Sequence, residues 1–202
     1  MILEIISIYL SRNKKIIFKN FCLKIKSSEI VTLIGRNGSG KTSLLEMIVG
    51  LLKPESGAIK INSINIEEIG ERKRDQFIYI PYEDALKEDL TICENLQIWA
   101  NLASVNLSKE LLEKSLDYFS LTEIKNVLVG KLSQGQKKKI ALTKLLLINC
   151  GLWILDEPFN SLDKESIEIL KKLFLSHKKK GGVVLFASHI DIKIRGKINV
   201  FL

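Results

Sequence analysis

The sequence predicts an α/β fold: a mostly parallel core sheet with helices, an N-terminal antiparallel β portion and an inserted helical subdomain. Three observations predict it. The apolar stretch Ile30–Ile34 runs into the glycines of Gly35-Arg36-Asn37-Gly38-Ser39-Gly40-Lys41-Thr42 and then into Leu44, Leu45 and Ile48 at helical spacing; this is strand, loop and helix in succession. Two short runs, Leu152–Leu155 and Val183–Ala187, are apolar throughout, the character of strands covered on both faces, as in a parallel sheet. Between about Ala85 and Lys131 the pattern is helical instead.

Taken in order, Leu3–Tyr9 and Ile16–Ile25 read as strands enriched in Ile and Phe, leading to the third at Ile30–Ile34. The helix after the glycines carries Leu44, Leu45, Ile48, Leu51 and Leu52 at helical spacing and stops in the breaker region Gly50 to Pro54. Short strands are expected at Ala58–Ile61 and Phe77–Pro81. Thr91-Ile92-Cys93-Glu94 is a capping box that opens a helix, and Ser108 caps another containing Leu111, Leu112, Leu116 and Phe119. The triple Lys178 to Lys180 closes a late helix before Gly181, where cations complement the helix dipole.

At 202 residues the chain is expected to form one domain, 1–202, with the helical insertion at about 85–131. Its 46% hydrophobic and 27% charged residues supply a core and exclude disordered, collagen-like and disulfide-dense classes. No apolar run is long enough to span a membrane, and the N-terminal MILEIISIYL lacks a basic lead and a small-residue cleavage site, so a cytosolic chain without a signal peptide is expected. Cys22, Cys93 and Cys150 form no C-x-x-C pair and fit reduced thiols. The net charge of +8 is compatible with anionic partners, but Lys is spread along the chain and a solvated surface accounts for it; no nucleic-acid partner is expected.

The chemistry begins at the glycine loop. Residues 35–42 satisfy G-x-x-x-x-G-K-[ST] between a strand and a helix, the context in which this pattern binds phosphates. Its glycines let backbone N–H groups approach phosphate oxygens, the helix N-terminus adds positive potential, and Lys41 reaches the β- and γ-phosphates. Thr42 is the expected Mg²⁺ ligand, and Arg36, Asn37, Ser39 and the following Ser43 complete the nucleotide-binding stretch. Leu152-Trp153-Ile154-Leu155-Asp156-Glu157 is an apolar strand ending in two acids, at the strand end where α/β sheets bind their ligands. Asp156 is expected to hold Mg²⁺, and Glu157 to polarise the water that attacks the γ-phosphate.

Between these motifs stands Leu132-Ser133-Gln134-Gly135-Gln136, in isolation an S-x-x-Q capping box. The order of GRNGSGKT, LSQGQ, LWILDEP, SLD and a late histidine resembles the ATP-binding cassette (ABC) ATPases across essentially the whole chain. That resemblance implies a P-loop NTPase that hydrolyses ATP with Mg²⁺ and forms an ATP-dependent head-to-tail homodimer. It implies that Ser133, Gly135 and Gln136 face the γ-phosphate bound by the other protomer. By the same resemblance Ser161-Leu162-Asp163 is the loop communicating between the two sites, and His189 contacts the γ-phosphate.

The chain departs from the family pattern at three places. Tyr82-Glu83-Asp84 stands where the family has Gln, placing Glu83 near the metal; Gln134 replaces a glycine of the signature; and the adenine-stacking aromatic aligns with Arg12, with Tyr9 nearby. An Arg plane can stack on a base, and a solvated Arg accounts for the residue equally well. The short chain, LWILDEPF and Gly181-Gly182-Val183-Val184-Leu185 are similar to the ATP-binding subunits of the haem exporter used in cytochrome c maturation. This implies translocase-type ATP hydrolysis beneath integral-membrane subunits, a peripheral place on the cytoplasmic face of the inner membrane or an organellar matrix face, and no direct contact with haem. The alternatives are the ATPase of another ABC importer or exporter, which shares the site, and a soluble ABC ATPase outside transport.

Overall fold

The computed structural model describes residues 1–69 and 76–202. Its strands are β1 (Ile2–Arg12), β2 (Lys15–Lys26), β3 (Ile30–Ile34), β4 (Ser56–Ile61), β5 (Ile64–Asn65), β6 (Phe77–Ile80), β7 (Leu152–Asp156), β8 (Val183–Ser188) and β9 (Lys197–Phe201). The helices are α1 (Lys41–Ile48), α2 (Ile92–Leu102), α3 (Lys109–Tyr118), α4 (Gln134–Leu147) and α5 (Lys164–Lys179). They fall into two compact units: Met1–Tyr79, Cys150–Glu157 and Phe174–Leu202 form the first, Ile80–Asn149 and Pro158–Leu173 the second.

The first unit holds two sheets, as the sequence predicts. One is antiparallel in the order β2-β1-β4-β5; the other, in the order β6-β7-β8-β3-β9, pairs β7 with β8, β8 with β3 and β3 with β9 in parallel. Every residue of β7 and β8 is buried, which is why neither strand alternates. Helix α1 packs on β7 and β8, and Leu44, Leu45, Met47 and Ile48 join Val31, Leu33, Ile154 and Leu185 in one apolar cluster. Burying such side chains is worth about 1.5–3 kcal/mol each, and it fixes the ends of β3 and β7 relative to the start of α1. The helix stops at Ile48: Leu51, expected to extend its apolar stripe, is 71% exposed. Strand β9 is absent from the sequence expectation although Ile198, Val200 and Phe201 are β-prone; the segment is short, opens on Lys197 and is largely exposed.

In the second unit α4 packs against α2 and α3. Thr91 and Glu94 close the capping box of α2, Ser108 caps α3, and Ser133 with Gln136 closes a second capping box at the start of α4, each where the sequence placed it. Leu96, Ala100, Leu116, Phe119, Ile140 and Leu145 are buried. Two lysines of α4, Lys138 and Lys144, are buried as well. Among the described residues, no helix is long and apolar enough to cross a membrane.

Candidate active site

The loop from Gly35 to Gly40 joins β3 to α1, and its backbone needs glycine. Gly38 has φ +80 and Gly40, the N-cap of α1, has φ +103, both in the left-handed region. At Gly40 space forbids a side chain as well, since a Cβ would come within 2.5 Å of Ile17 and 2.8 Å of Phe18. Lys41 is buried, and its Nζ donates to the carbonyls of Gly35 (2.8 Å) and Arg36 (3.2 Å). The ammonium is therefore held over the loop by two neutral acceptors, which a phosphate oxygen replaces with a stronger, charge-assisted bond. Arg36 and Asn37 are exposed, and Ser43 is buried under the first turn. Ser39 Oγ is buried with no hydrogen-bond partner among the described residues, a hydroxyl left for an oxygen-bearing ligand of the loop.

Thr42 Oγ1 donates to Asp156 Oδ2 at 2.6 Å, so the end of the loop and the end of β7 meet. The carboxylate of Asp156 is almost wholly buried. A hydroxyl and a carboxylate offer hard oxygen donors, the chemistry Mg²⁺ selects, and two protein ligands suffice because Mg²⁺ keeps waters and substrate phosphate oxygens around it.

Glu157 follows directly. It is buried, its N–H donates to the carbonyl of Ala187 (3.1 Å), and its φ of +46 puts a non-glycine residue in the left-handed region. That conformation costs on the order of 1 kcal/mol and persists because the β7–β8 ladder holds the backbone. The Glu157 Oε2 lies 2.9 Å from His189 Nδ1. His189 itself follows β8, where Ser188 Oγ donates to the carbonyl of Ile190 (2.7 Å) and accepts from its N–H (3.2 Å), pinning the turn that carries the imidazole. Beside Asp156, burial and the negative charge of that carboxylate push the Tyr79 hydroxyl far above its ordinary value, so it stays protonated.

In the second unit Ser133 Oγ accepts from the N–H of Gln136 (3.2 Å), and Gln136 Oε1 accepts from the N–H of Ser133 (2.9 Å). Gly135 lies against the next loop: a Cβ there would come within 2.5 Å of the Ser161 carbonyl. Gln134 is exposed. Asp163 Oδ1 accepts from the N–H of Ser166 (2.8 Å) at the start of α5, while Oδ2 pairs with Lys139 (3.0 Å). These bonds hold its carboxyl far below the usual carboxylate range, and they give Asp163 a helix-capping part that the sequence reading did not assign. Glu83 is exposed. Its neighbour Asp84 forms an ion pair with Lys138 at 2.6 Å, and the Lys138 ammonium also donates to the carbonyl of Tyr82 (3.1 Å). The sequence reading missed this pair. Its signal was a lysine at position 138 sharing the i, i+3, i+4, i+7 stripe with Ala141, Leu142 and Leu145. In the first unit the Arg12 guanidinium is engaged by Glu46 at 3.8 Å.

A phosphate-binding loop, a Thr–Asp oxygen pair and an adjacent buried glutamate define a P-loop ATPase. Residues 18–160 match the ABC transporter family. The chain is 40% identical, over 90% of its length and 83% of the relative's, to the cytochrome c biogenesis ATP-binding export protein CcmA of Histophilus somni. It is 39% identical to the protein of the same name from Reclinomonas americana, over 95% of this chain and 85% of that one. Among solved structures, an ABC transporter ATP-binding protein from Pyrococcus furiosus superposes with a TM-score of 0.86 at 27% identity, covering 100% of this chain and 98% of that one. The ATP-binding subunit of another ABC transporter gives 0.82 at 32% identity, covering 94% and 80%. The chain thus belongs to the ATP-binding proteins of the ABC transporter family and, within it, to the cytochrome c biogenesis ATP-binding export proteins.

Proposed function

We propose that this chain is the ATP-hydrolysing subunit of a membrane complex that handles or exports haem for cytochrome c maturation, acting as one ATP-binding cassette over residues 1–202 with a helical insertion at about 85–131. The observation that carries the chemistry is the 2.6 Å bond between Thr42 and Asp156, with Glu157 as the next residue. Lys41 leaves the carbonyls of Gly35 and Arg36 for the β- and γ-phosphate oxygens, and the N–H groups of the loop and of the first turn of α1 bind the others. Thr42 and Asp156 would hold Mg²⁺, with Glu83 a candidate ligand from the family alignment alone, and the ion would supply positive charge against that developing on the phosphates. Glu157 orients the attacking water and accepts its proton, and His189 holds the glutamate carboxylate on that water and meets the γ-phosphate.

The same reading places Ser133, Gly135 and Gln136 at the γ-phosphate of a second copy in an ATP-dependent head-to-tail homodimer, with Asp163 in the loop between the two sites. The helix start supports it: the capping box takes up the N–H groups of Ser133 and Gln136, while those of Gln134 and Gly135 have no acceptor within the helix and point, with the positive end of its dipole, out of the start of α4. The absence of a membrane-crossing helix among the described residues is compatible with a peripheral subunit docked on integral-membrane partners at the cytoplasmic or matrix face. Haem itself belongs to those partners.

Two measurements test the reading. Phosphate release by the wild type and by Glu157→Gln, with the membrane partner present, is expected to differ by at least roughly a hundred-fold. Glu157→Gln trapped with Mg-ATP in solubilised native membranes is expected to co-purify with membrane proteins of cytochrome c maturation. A different permease in the trap replaces the transport partner and leaves the ATPase; soluble proteins alone remove the transport reading.

A further inference from the structure

Two concave spaces of the first unit meet at the phosphate loop and differ in chemistry. The larger, about 420 Å³, is walled by the backbone of Gly35–Ser39 with the cations Lys15 and Arg36. The smaller, about 170 Å³, is walled mainly by Ile17, Phe18 and Phe21, with Lys19 beside them. Ser39 and Phe201 line both. Together they form one amphipathic trough, polar and cationic at the loop and mostly aromatic and aliphatic beyond it, where Lys19 is the charged residue of the wall.

Phe201 occupies the middle of that trough. It is paired in register with Ile34, the last residue before the loop, so β9 carries it to the rim of the phosphate-binding segment. Alternation along β9 sends Val200 into the core and Phe201 to the other face, where it is 74% exposed, the most exposed large apolar side chain among the described residues. Ile17 touches the loop from the opposite strand pair, close enough that it excludes any side chain at Gly40. A nucleoside triphosphate anchored by its phosphates on Gly35–Thr42 carries a flat, largely apolar base away from the loop, and stacking on an aromatic face is how such a base is held without base-specific hydrogen bonds. Arg12, the residue aligned with the family's stacking aromatic, is not aromatic; its half-exposed guanidinium lies 3.8 Å from Glu46.

We propose that Phe201 is a stacking platform for the base of the bound nucleoside triphosphate, with Ile17 as the facing apolar wall. This rests on the nucleotide-binding reading and adds to it the residue that holds the base. Because every purine offers a π-face, the platform discriminates weakly between ATP and GTP.

The test is equilibrium binding of Mg-ATP, Mg-GTP and inorganic tripolyphosphate to the wild type, Phe201→Ala and Phe201→Tyr. Tripolyphosphate has the phosphates and no base. Phe201→Ala is expected to weaken both nucleotides roughly ten-fold while tripolyphosphate binds within two-fold of the wild type, and Phe201→Tyr restores nucleotide affinity. Nucleotide affinity unchanged in Phe201→Ala overturns the proposal, and so does an equal loss for nucleotides and tripolyphosphate, which reports a disturbed loop. A wild type that binds tripolyphosphate and nucleotides equally overturns it too, since the base then adds nothing. A wild type that binds none of the three removes the nucleotide reading itself along with the platform.

Discussion

His189 Nδ1 stands 2.9 Å from Glu157 Oε2, and each residue is the first beyond one of two paired parallel strands, β8 and β7. Their meeting is a consequence of register: Asp156 pairs with Ala187, so the two chain ends leave the sheet together. On the proposed mechanism this contact fixes the carboxylate that accepts a proton from water. Glu157→Gln is expected to retain ATP affinity and lose at least about a hundred-fold in turnover, because the amide keeps the shape and loses the base. His189→Ala should lower kcat with a smaller change in KM, since the proposed mechanism has it act through the glutamate and the transferred phosphate. Single-turnover phosphate release measures both, and equal rates for wild type and Glu157→Gln would end the claim that Glu157 is the base.

Thr42 and Asp156 make a paired prediction about the metal. Thr42→Ala removes the hydroxyl that Asp156 accepts at 2.6 Å, and with it one oxygen of the proposed Mg²⁺ site. The Mg²⁺ concentration for half-maximal turnover should rise about ten-fold or more, Thr42→Ser should keep it near the wild-type value, and chelation should stop turnover in all three. Titration of phosphate release against free Mg²⁺ decides it.

Lys144 of α4 is buried 5.6 Å from the centre of the Trp99 ring, and burial pushes its ammonium down to about 8, opposed by the charge of Asp84. Below that value both folded and unfolded chains carry the proton, and the desolvation penalty is present in full. As pH rises from about 8 towards the unfolded value of about 10.4, the folded chain gives up the proton while the unfolded chain still binds it, so stability rises with pH in this window. Lys144→Met is expected to raise the urea midpoint at pH 7, by up to about 3 kcal/mol in stability, and to flatten the rise between pH 8 and 10. An unchanged midpoint, or a rise that survives the substitution, contradicts this.

The Asp84–Lys138 pair should behave as a buried ion pair does. Side-chain exposures of 13% and 6% leave little water to screen either charge once its partner is gone. Lys138→Met alone is expected to cost about 3 kcal/mol, whereas the double change with Asp84→Leu should recover most of it. A denaturation cycle of the four proteins reads the coupling, and additive single costs would show that the two charges are independent.

Gly135 offers a steric test of the signature loop. A methyl there meets the Ser161 carbonyl at 2.5 Å, a backbone atom that can move only with its loop. Gly135→Ala should destabilise the fold by about 1–3 kcal/mol and lower turnover through the displaced loop, with Gly135→Ser no better. Wild-type stability and turnover in Gly135→Ala would show that the loop yields freely.

By itself the sequence determined the local machinery: the glycine loop between strand and helix, the buried strand ending in Asp156 and Glu157, and the capping boxes of Thr91 with Glu94 and Ser133 with Gln136. Each rests on interactions between residues a few positions apart, and pattern alone records those. The tertiary structure decided what depends on distant segments. Only the β7–β8 ladder sets Glu157 at φ +46 beside His189; only the packing of the second unit neutralises Lys138 with Asp84, while a cap and Lys139 engage Asp163. Strand β9 is the clearest case. Its Ile198, Val200 and Phe201 are β-prone, but the segment is short, opens on a lysine and is largely exposed; its place in the sheet is set by β3, which offers it a parallel ladder of hydrogen bonds and brings Phe201 to the loop.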